Sequence, residues 1–124
     1  VKLFKSNSPD FKDGEQMRDF VYVKDVIDII WELYQKKICG LFNLGTGKAR
    51  SWNDLVKAVF TAMELEPKIE YVDMPEELKE QYQNFTEADM KKLTKTKLNI
   101  KFNTLEDNIR DYVTNHLQKR WKNY

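Results

Sequence analysis

Arg18 heads the run Arg18-Asp19-Phe20-Val21-Tyr22-Val23-Lys24-Asp25-Val26, which joins a cation to an alternating apolar stretch. A guanidinium fork at the mouth of a strand could hold a phosphate or a carboxylate in bidentate fashion. A surface pair with Asp19, or a tether to another acid, would satisfy the same residues, and the sequence leaves both readings open. Tyr82, in Glu80-Gln81-Tyr82-Gln83-Asn84-Phe85, could pack or could offer its hydroxyl to a ligand.

Other residue types narrow the chemistry. Gly45-Thr46-Gly47 stands between an apolar run and a helical pattern, the setting of a dinucleotide-binding turn. That fingerprint needs a third glycine where this chain has Arg50, whose side chain would obstruct the close helix–strand approach. A glycine-rich turn leading into a capped helix is therefore expected. His116 and Cys39 are the only residues of their kinds and lie far apart, so they offer no zinc set. His116 follows no nucleophile elbow, and one turn after Tyr112 it is expected at the core boundary. Lys119-Arg120-Trp121-Lys122 mixes basic and aromatic groups, and a solvated helix end accounts for it.

These residues must be carried by alternating strands and helices. Val1–Phe4 alternates as a strand, and Lys5–Met17 is a long polar connection rich in turn residues. With only Phe11 and Met17 as apolar anchors, it is expected to be mobile without a ligand. Phe20–Val23 reads as a central strand. A helix over about Asp25–Lys36 should bury Val26, Ile27, Ile30, Trp31, Leu33 and Tyr34 and stop at Gly40. Gly40–Leu44 reads as a strand. Ser51 with Asp54 signals the next helix, which should bury Trp52, Leu55, Val56, Val59, Phe60 and Met63. Ile69–Val72 is a strand, and Pro75 opens a helical turn. Thr86 should cap a helix through Leu93. Thr104 should cap a last helix burying Leu105, Ile109, Tyr112, Val113 and Leu117. Together these give an α/β fold with a small mixed sheet and about five helices.

The chain has 124 residues, 41% of them hydrophobic, enough for one modest core. Its 21 Lys+Arg against 20 Asp+Glu leave +1, which gives no reason to expect nucleic acid or an anionic membrane. The single cysteine excludes an intrachain disulfide and suits a reducing compartment, so a cytoplasmic location is expected. Val1 lies inside an apolar–polar alternation, so the chain is expected to be a piece of something longer.

Taken together, the Arg18–Val26 run and Leu41-Phe42-Asn43-Leu44-Gly45-Thr46-Gly47 about twenty residues later resemble the extended short-chain dehydrogenase/reductase nucleotide-sugar enzymes. With Lys2-Leu3-Phe4, Leu78-Lys79, Tyr82-Gln83, Phe85-Thr86 and Ala88-Asp89, the resemblance narrows to the ADP-L-glycero-D-manno-heptose 6-epimerases, C-terminal part only. The resemblance implies that residues 1–124 form the substrate-binding portion of an extended Rossmann-type epimerase. The whole enzyme would use NADP, invert one carbon of an ADP-activated heptose through a keto intermediate, serve lipopolysaccharide synthesis and form homo-oligomers, pentamers in that family. It also implies substrate contacts at Phe4, Lys5, Ser6, Asn7, Arg18 and Tyr82, with Arg18 on the diphosphate. The loop Ser8–Met17 is longer than the family's connection, and Lys5 stands where the family can carry an acid. No tyrosine here has a lysine four residues on, and the cofactor fingerprint is missing. The chain alone is therefore expected to be inactive and to bind NADP weakly or not at all. The alternatives are another extended nucleotide-sugar epimerase or dehydratase, or a non-catalytic binding or interaction module.

Overall fold

Two short strand pairs set the frame of the computed structural model, which describes residues 1–121. β1 (Lys2–Phe4) runs parallel to β4 (Glu70–Val72), with Leu3 opposite Tyr71 and Phe4 opposite Val72. β2 (Met17–Arg18) runs antiparallel to β3 (Arg50–Ser51), with Met17 opposite Ser51 and Arg18 opposite Arg50. Met17 also bridges Phe85 in parallel: its N–H donates to the Asn84 carbonyl at 2.8 Å, and the Thr86 N–H donates to its carbonyl at 3.2 Å. The expected mixture of parallel and antiparallel pairing is present, divided between two sheets.

Pairing stops at Arg18, so the expected central strand at Phe20–Val23 does not form. Its first three residues are unpaired, and α1 (Val23–Gln35) has already begun at Val23, with Tyr22 as its N-cap. Gly40–Leu44 is likewise unpaired. Alternating apolar residues specify a strand only where a neighbour offers its ladder of N–H and C=O groups.

α1 buries a different face from the one expected. Ile29 packs with Leu93 and Leu98, joined by Leu33, Phe42, Leu44 and Met90. Asp25 is buried and accepts from the side-chain amides of Asn103 at 3.1 Å and Asn108 at 3.0 Å. Val23, Ile27, Ile30, Trp31 and Tyr34 are exposed, with Trp31 and Tyr34 stacked. The stop is at Lys37, not Gly40: Lys37 is left-handed at φ 53°, and the Ile38 N–H reaches back to the Leu33 carbonyl at 3.0 Å. This is the Schellman arrangement.

α2 (Trp52–Ala62) begins as its sequence specifies. The Ser51 hydroxyl accepts from the Asp54 N–H at 3.1 Å, and the Asp54 carboxylate accepts from the Ser51 N–H at 3.3 Å. Val56 and Ala58 are buried, as is Asn53, while Met63 is exposed, contrary to expectation. α2 also ends in a Schellman turn, at Glu64 with φ 57°.

α3 (Glu76–Lys79) follows Pro75, and α4 is Lys91–Thr94. Thr86–Ala88 is not helical, because its N–H groups are drawn to the β2 segment: that of Thr86 to Met17, and that of Ala88 to Asp19 at 3.1 Å. α5 (Leu105–Asp111) has the expected Thr104 cap, which accepts from the Asp107 N–H. It packs on α2 and widens into a π-helical turn, Tyr112–Leu117, before α6 (Gln118–Trp121). Val113 is buried in that turn, whereas Tyr112, Leu117 and His116 are exposed. The expected boundary position of His116 is therefore corrected to the surface. Of the basic–aromatic run, Lys122 and the side chains of Arg120 and Trp121 lie outside the described residues. Among the described residues no helix is long and apolar enough to cross a membrane.

Candidate functional site

The end of β2 delivers Arg18 to one side of the molecule, half-buried. Its Nη1 donates to the Met17 carbonyl at 2.7 Å, and its guanidinium lies 5.1 Å over the Tyr82 ring. Such a cation–π contact contributes about 0.5–2 kcal/mol and fixes the plane of the fork. The local-pair reading of Arg18 is not what the geometry gives, because Asp19 is engaged on other partners. Opposite Arg18 stands a second cation, Arg50. Its guanidinium is held by Asp54 at 3.0 Å and Glu106 at 2.8 Å, and those contacts, Glu106 foremost, raise its pKa. Among the described residues Arg18 meets no carboxylate at ion-pair distance.

Tyr82 meets Phe4 edge-on, with ring centroids 6.4 Å apart. Both line a cavity of about 470 Å³ whose other walls include Gln16, Trp52 and Val72. Gln16 is 1% exposed and donates to the Lys5 carbonyl at 3.3 Å. The Trp52 indole N–H is buried and has no acceptor among the described residues. The structure thus brings Phe4, Arg18 and Tyr82 together. Lys5, Ser6 and Asn7 leave β1 beside them, but their polar groups are already engaged within the chain. The Lys5 ammonium pairs with Asp73 at 2.9 Å, which raises its pKa. The Ser6 hydroxyl donates to the Ser8 carbonyl at 2.9 Å, and the Asn7 amide to the Lys79 carbonyl at 2.8 Å.

Gln16, Trp52 and Val72 are wall residues that sequence reasoning did not identify. Trp52 follows the Ser51 cap directly, which was the available signal. A buried glutamine in a polar loop announces nothing. Asn53 is a further missed residue. Its amide donates to the Asp13 carbonyl at 3.1 Å and accepts from the Tyr71 hydroxyl at 3.0 Å, while its N–H donates to the Gly14 carbonyl at 3.0 Å. The returning half of the 5–17 loop is thereby tied to the start of α2.

The glycine turn serves Asp19. One carboxylate oxygen accepts from the Thr46 N–H at 2.8 Å and the Thr46 hydroxyl at 2.5 Å; the other accepts from the Gly47 N–H at 2.9 Å and from Ala88. A β-carbon on Gly45 would collide with this carboxylate and with Ala88 Cβ, and Gly47 is left-handed at φ 69°. Burial raises the Asp19 pKa, but the bonds from Thr46, Ala88 and Gly47 outweigh it and hold the carboxyl below its ordinary range. A nest of N–H groups already filled by a carboxylate, with Arg50 beyond it, does not fit a cofactor pyrophosphate.

A second polar cluster joins α1 to α5. Asp111 accepts from Lys24 and the Tyr22 hydroxyl, both at 2.6 Å, and from Asn115 at 2.8 Å, and these bonds depress its pKa. It closes the α1–α5 junction, and none of its members lines the Phe4–Tyr82 cavity. Among the described residues no group of His, Cys, Asp and Glu could hold a metal ion.

The chain is 54% identical over 118 residues to an ADP-L-glycero-D-manno-heptose-6-epimerase of Nitratidesulfovibrio vulgaris, an alignment covering 94% of this chain and 36% of that protein. The solved Helicobacter pylori ADP-L-glycero-D-manno-heptose-6-epimerase superposes with a TM-score of 0.69 at 30% identity, covering 93% of this chain and 32% of that one. A Methanobrevibacter ruminantium UDP-N-acetylglucosamine 4-epimerase, solved with UDP-N-acetylmuramic acid, superposes at 0.73 with 21% identity over 95% of this chain and 34% of that one, a likeness of fold. The chain thus spans about a third of the length of the proteins it matches. The GDP-mannose 4,6 dehydratase family profile matches residues 1–106, most of the chain, including Arg18 and every wall of the Phe4–Tyr82 cavity, so this chain belongs to that family.

Proposed function

We propose that this chain is the substrate-binding portion of an NADP-dependent ADP-L-glycero-D-manno-heptose 6-epimerase. The observation that carries the reading is Arg18: a guanidinium without a carboxylate partner among the described residues, lying over the ring of Tyr82, which itself walls an aromatic cavity. A fork held in one plane suits a diphosphate, and the cavity beside it suits a base or sugar. The 54% identity to an ADP-heptose epimerase supports ADP-heptose as the ligand. Phe4, Arg18 and Tyr82 would contact it, with Lys5, Ser6 and Asn7 closing from the loop.

In this reading the chain's own residues bind and orient the ligand, and the cofactor with its hydride chemistry would be held by residues outside this chain. In a protein of the relatives' length, the remaining two-thirds would cover the exposed apolar face of α1 and pair with Gly40–Leu44. The 124 residues alone, incubated with ADP-heptose and NADP, should leave the epimer ratio read by NMR unchanged, and turnover above a protein-free control would sink that part of the reading.

Binding is tested by calorimetry on the longest natural polypeptide that carries these residues. ADP-heptose should bind, and Arg18→Ala should weaken it by about 2–5 kcal/mol. Arg18→Lys should recover part of this, and Tyr82→Phe should cost only about 0.5–1.5 kcal/mol. A second reading, another nucleotide-sugar enzyme of the same fold, predicts equal or tighter binding of UDP-N-acetylglucosamine.

A further inference from the structure

We propose that Asp19 is a positioning residue for the nucleotide-sugar site: it touches no ligand, but it sets the gap between Arg18 and Tyr82 by clamping three chain segments around the end of β2. The inference rests on the reading of Arg18 and Tyr82 as ligand contacts.

Arg18 and Tyr82 are far apart in sequence and share no continuous sheet. Two anchors hold the Tyr82 segment against β2, one on each side of Arg18. On one side, Met17 exchanges backbone hydrogen bonds with Asn84 and Thr86. On the other, the Asp19 carboxylate accepts from the Ala88 N–H. The same carboxylate gathers Thr46 and Gly47, so the turn before β3 is fixed to the same point. Gly45 is required because a β-carbon there would strike the carboxylate and Ala88 together. Four donors converge on one side chain, and each comes from a segment that carries or braces a site residue. A carboxylate is the side chain that can accept all four, since it has acceptor capacity on both oxygens and no proton to place. An asparagine would aim an amide N–H₂ at two of these donors.

If Asp19 acts through the Arg18–Tyr82 pair, its effect must vanish when Arg18 is gone. The experiment is a double-mutant cycle in the longest natural polypeptide carrying these residues, with ADP-heptose affinity measured by calorimetry. Asp19→Asn should weaken binding about five- to tenfold, and Asp19→Asn in an Arg18→Ala background should weaken it hardly further. Thr46→Val removes one donor and leaves the rest, so it should give a smaller loss with the same non-additivity. It decides the matter if Asp19→Asn does not fold. Equal losses with and without Arg18, in either cycle, would make Asp19 a merely structural residue and overturn the proposal, as would unchanged affinity in Asp19→Asn. Failure of the parent to bind ADP-heptose would instead overturn the underlying assignment of the site.

Discussion

Helices α1 and α2 are of similar length, 13 and 11 residues, and both are amphipathic by sequence, yet they meet their surroundings differently. α2 starts on a reciprocal cap, buries Val56 and Ala58, packs on α5, and uses Asn53 to fasten the 5–17 loop. Everything α2 needs lies within the chain. α1 starts at Tyr22 without a side-chain cap and rests one face on the Ile29–Leu93–Leu98 cluster. Its other face leaves Trp31 at 55% and Tyr34 at 73% exposure. A helix apolar on opposite faces belongs between two layers, and among the described residues only one is present. The site stands on the completed side: Arg18, Phe4, Tyr82 and Trp52 are all braced by α2 and the strand pairs.

The comparison can be tested by substitutions of graded effect. Leu93→Ala, in the cluster beneath α1, removes a side chain that is 1% exposed and should cost about 2–5 kcal/mol in urea unfolding. A smaller cost would mean that the inner face of α1 is as loosely held as the outer.

Acid should weaken the cap of α2. Burial raises the Asp54 pKa, but Arg50 and Ser51 more than offset it, and Asp19 is lowered likewise. Groups depressed in the folded state stay unprotonated when their unfolded counterparts begin to bind protons, near pH 4. Their contribution is therefore complete above that pH and is lost as the pH falls through the folded values. Asp54→Asn should flatten the acid limb of a stability–pH curve; an unchanged limb would remove the α2 cap from the account.

Ser51→Ala should cost about 0.5–2 kcal/mol, by losing one donor's partner at the start of α2. Smallest is Trp31→Gln, expected within about 0.5 kcal/mol in the 124-residue chain. In a polypeptide of the relatives' length the same change should cost clearly more. Equal, small effects in both would mean that nothing covers the outer face of α1.

The elements that could be read in advance were those fixed locally. Ser51 with Asp54 and Thr104 with Asp107 are caps whose donors and acceptors lie within one turn, and both form. Phe20–Val23 and Gly40–Leu44 carry strand composition, but a strand needs a partner, which no local pattern provides. Thr86 has the composition of a cap, and its N–H goes instead to Met17, a residue nearly seventy positions earlier. At the site, the family resemblance indicated Phe4, Arg18 and Tyr82, which the structure brings together. Gln16, Trp52 and Asn53 were not found, because their roles arise from what packs on them.

The three left-handed residues that end α1, α2 and α4 hold a thermal margin in reserve. Lys37, Glu64 and Lys97 adopt φ of 53°, 57° and 57° with a β-carbon in place. That conformation costs an L-residue about 1–2 kcal/mol. Glycine would relieve it and give back roughly 0.5–1 kcal/mol through its freer unfolded chain. Each exchange would leave a net gain of a few tenths to about 1 kcal/mol, worth a few degrees of melting temperature in a domain of this size. The three positions are exposed and do not line the cavity walled by Phe4 and Tyr82, so a heat-tolerant form of this chain can be built without altering any residue of the candidate site.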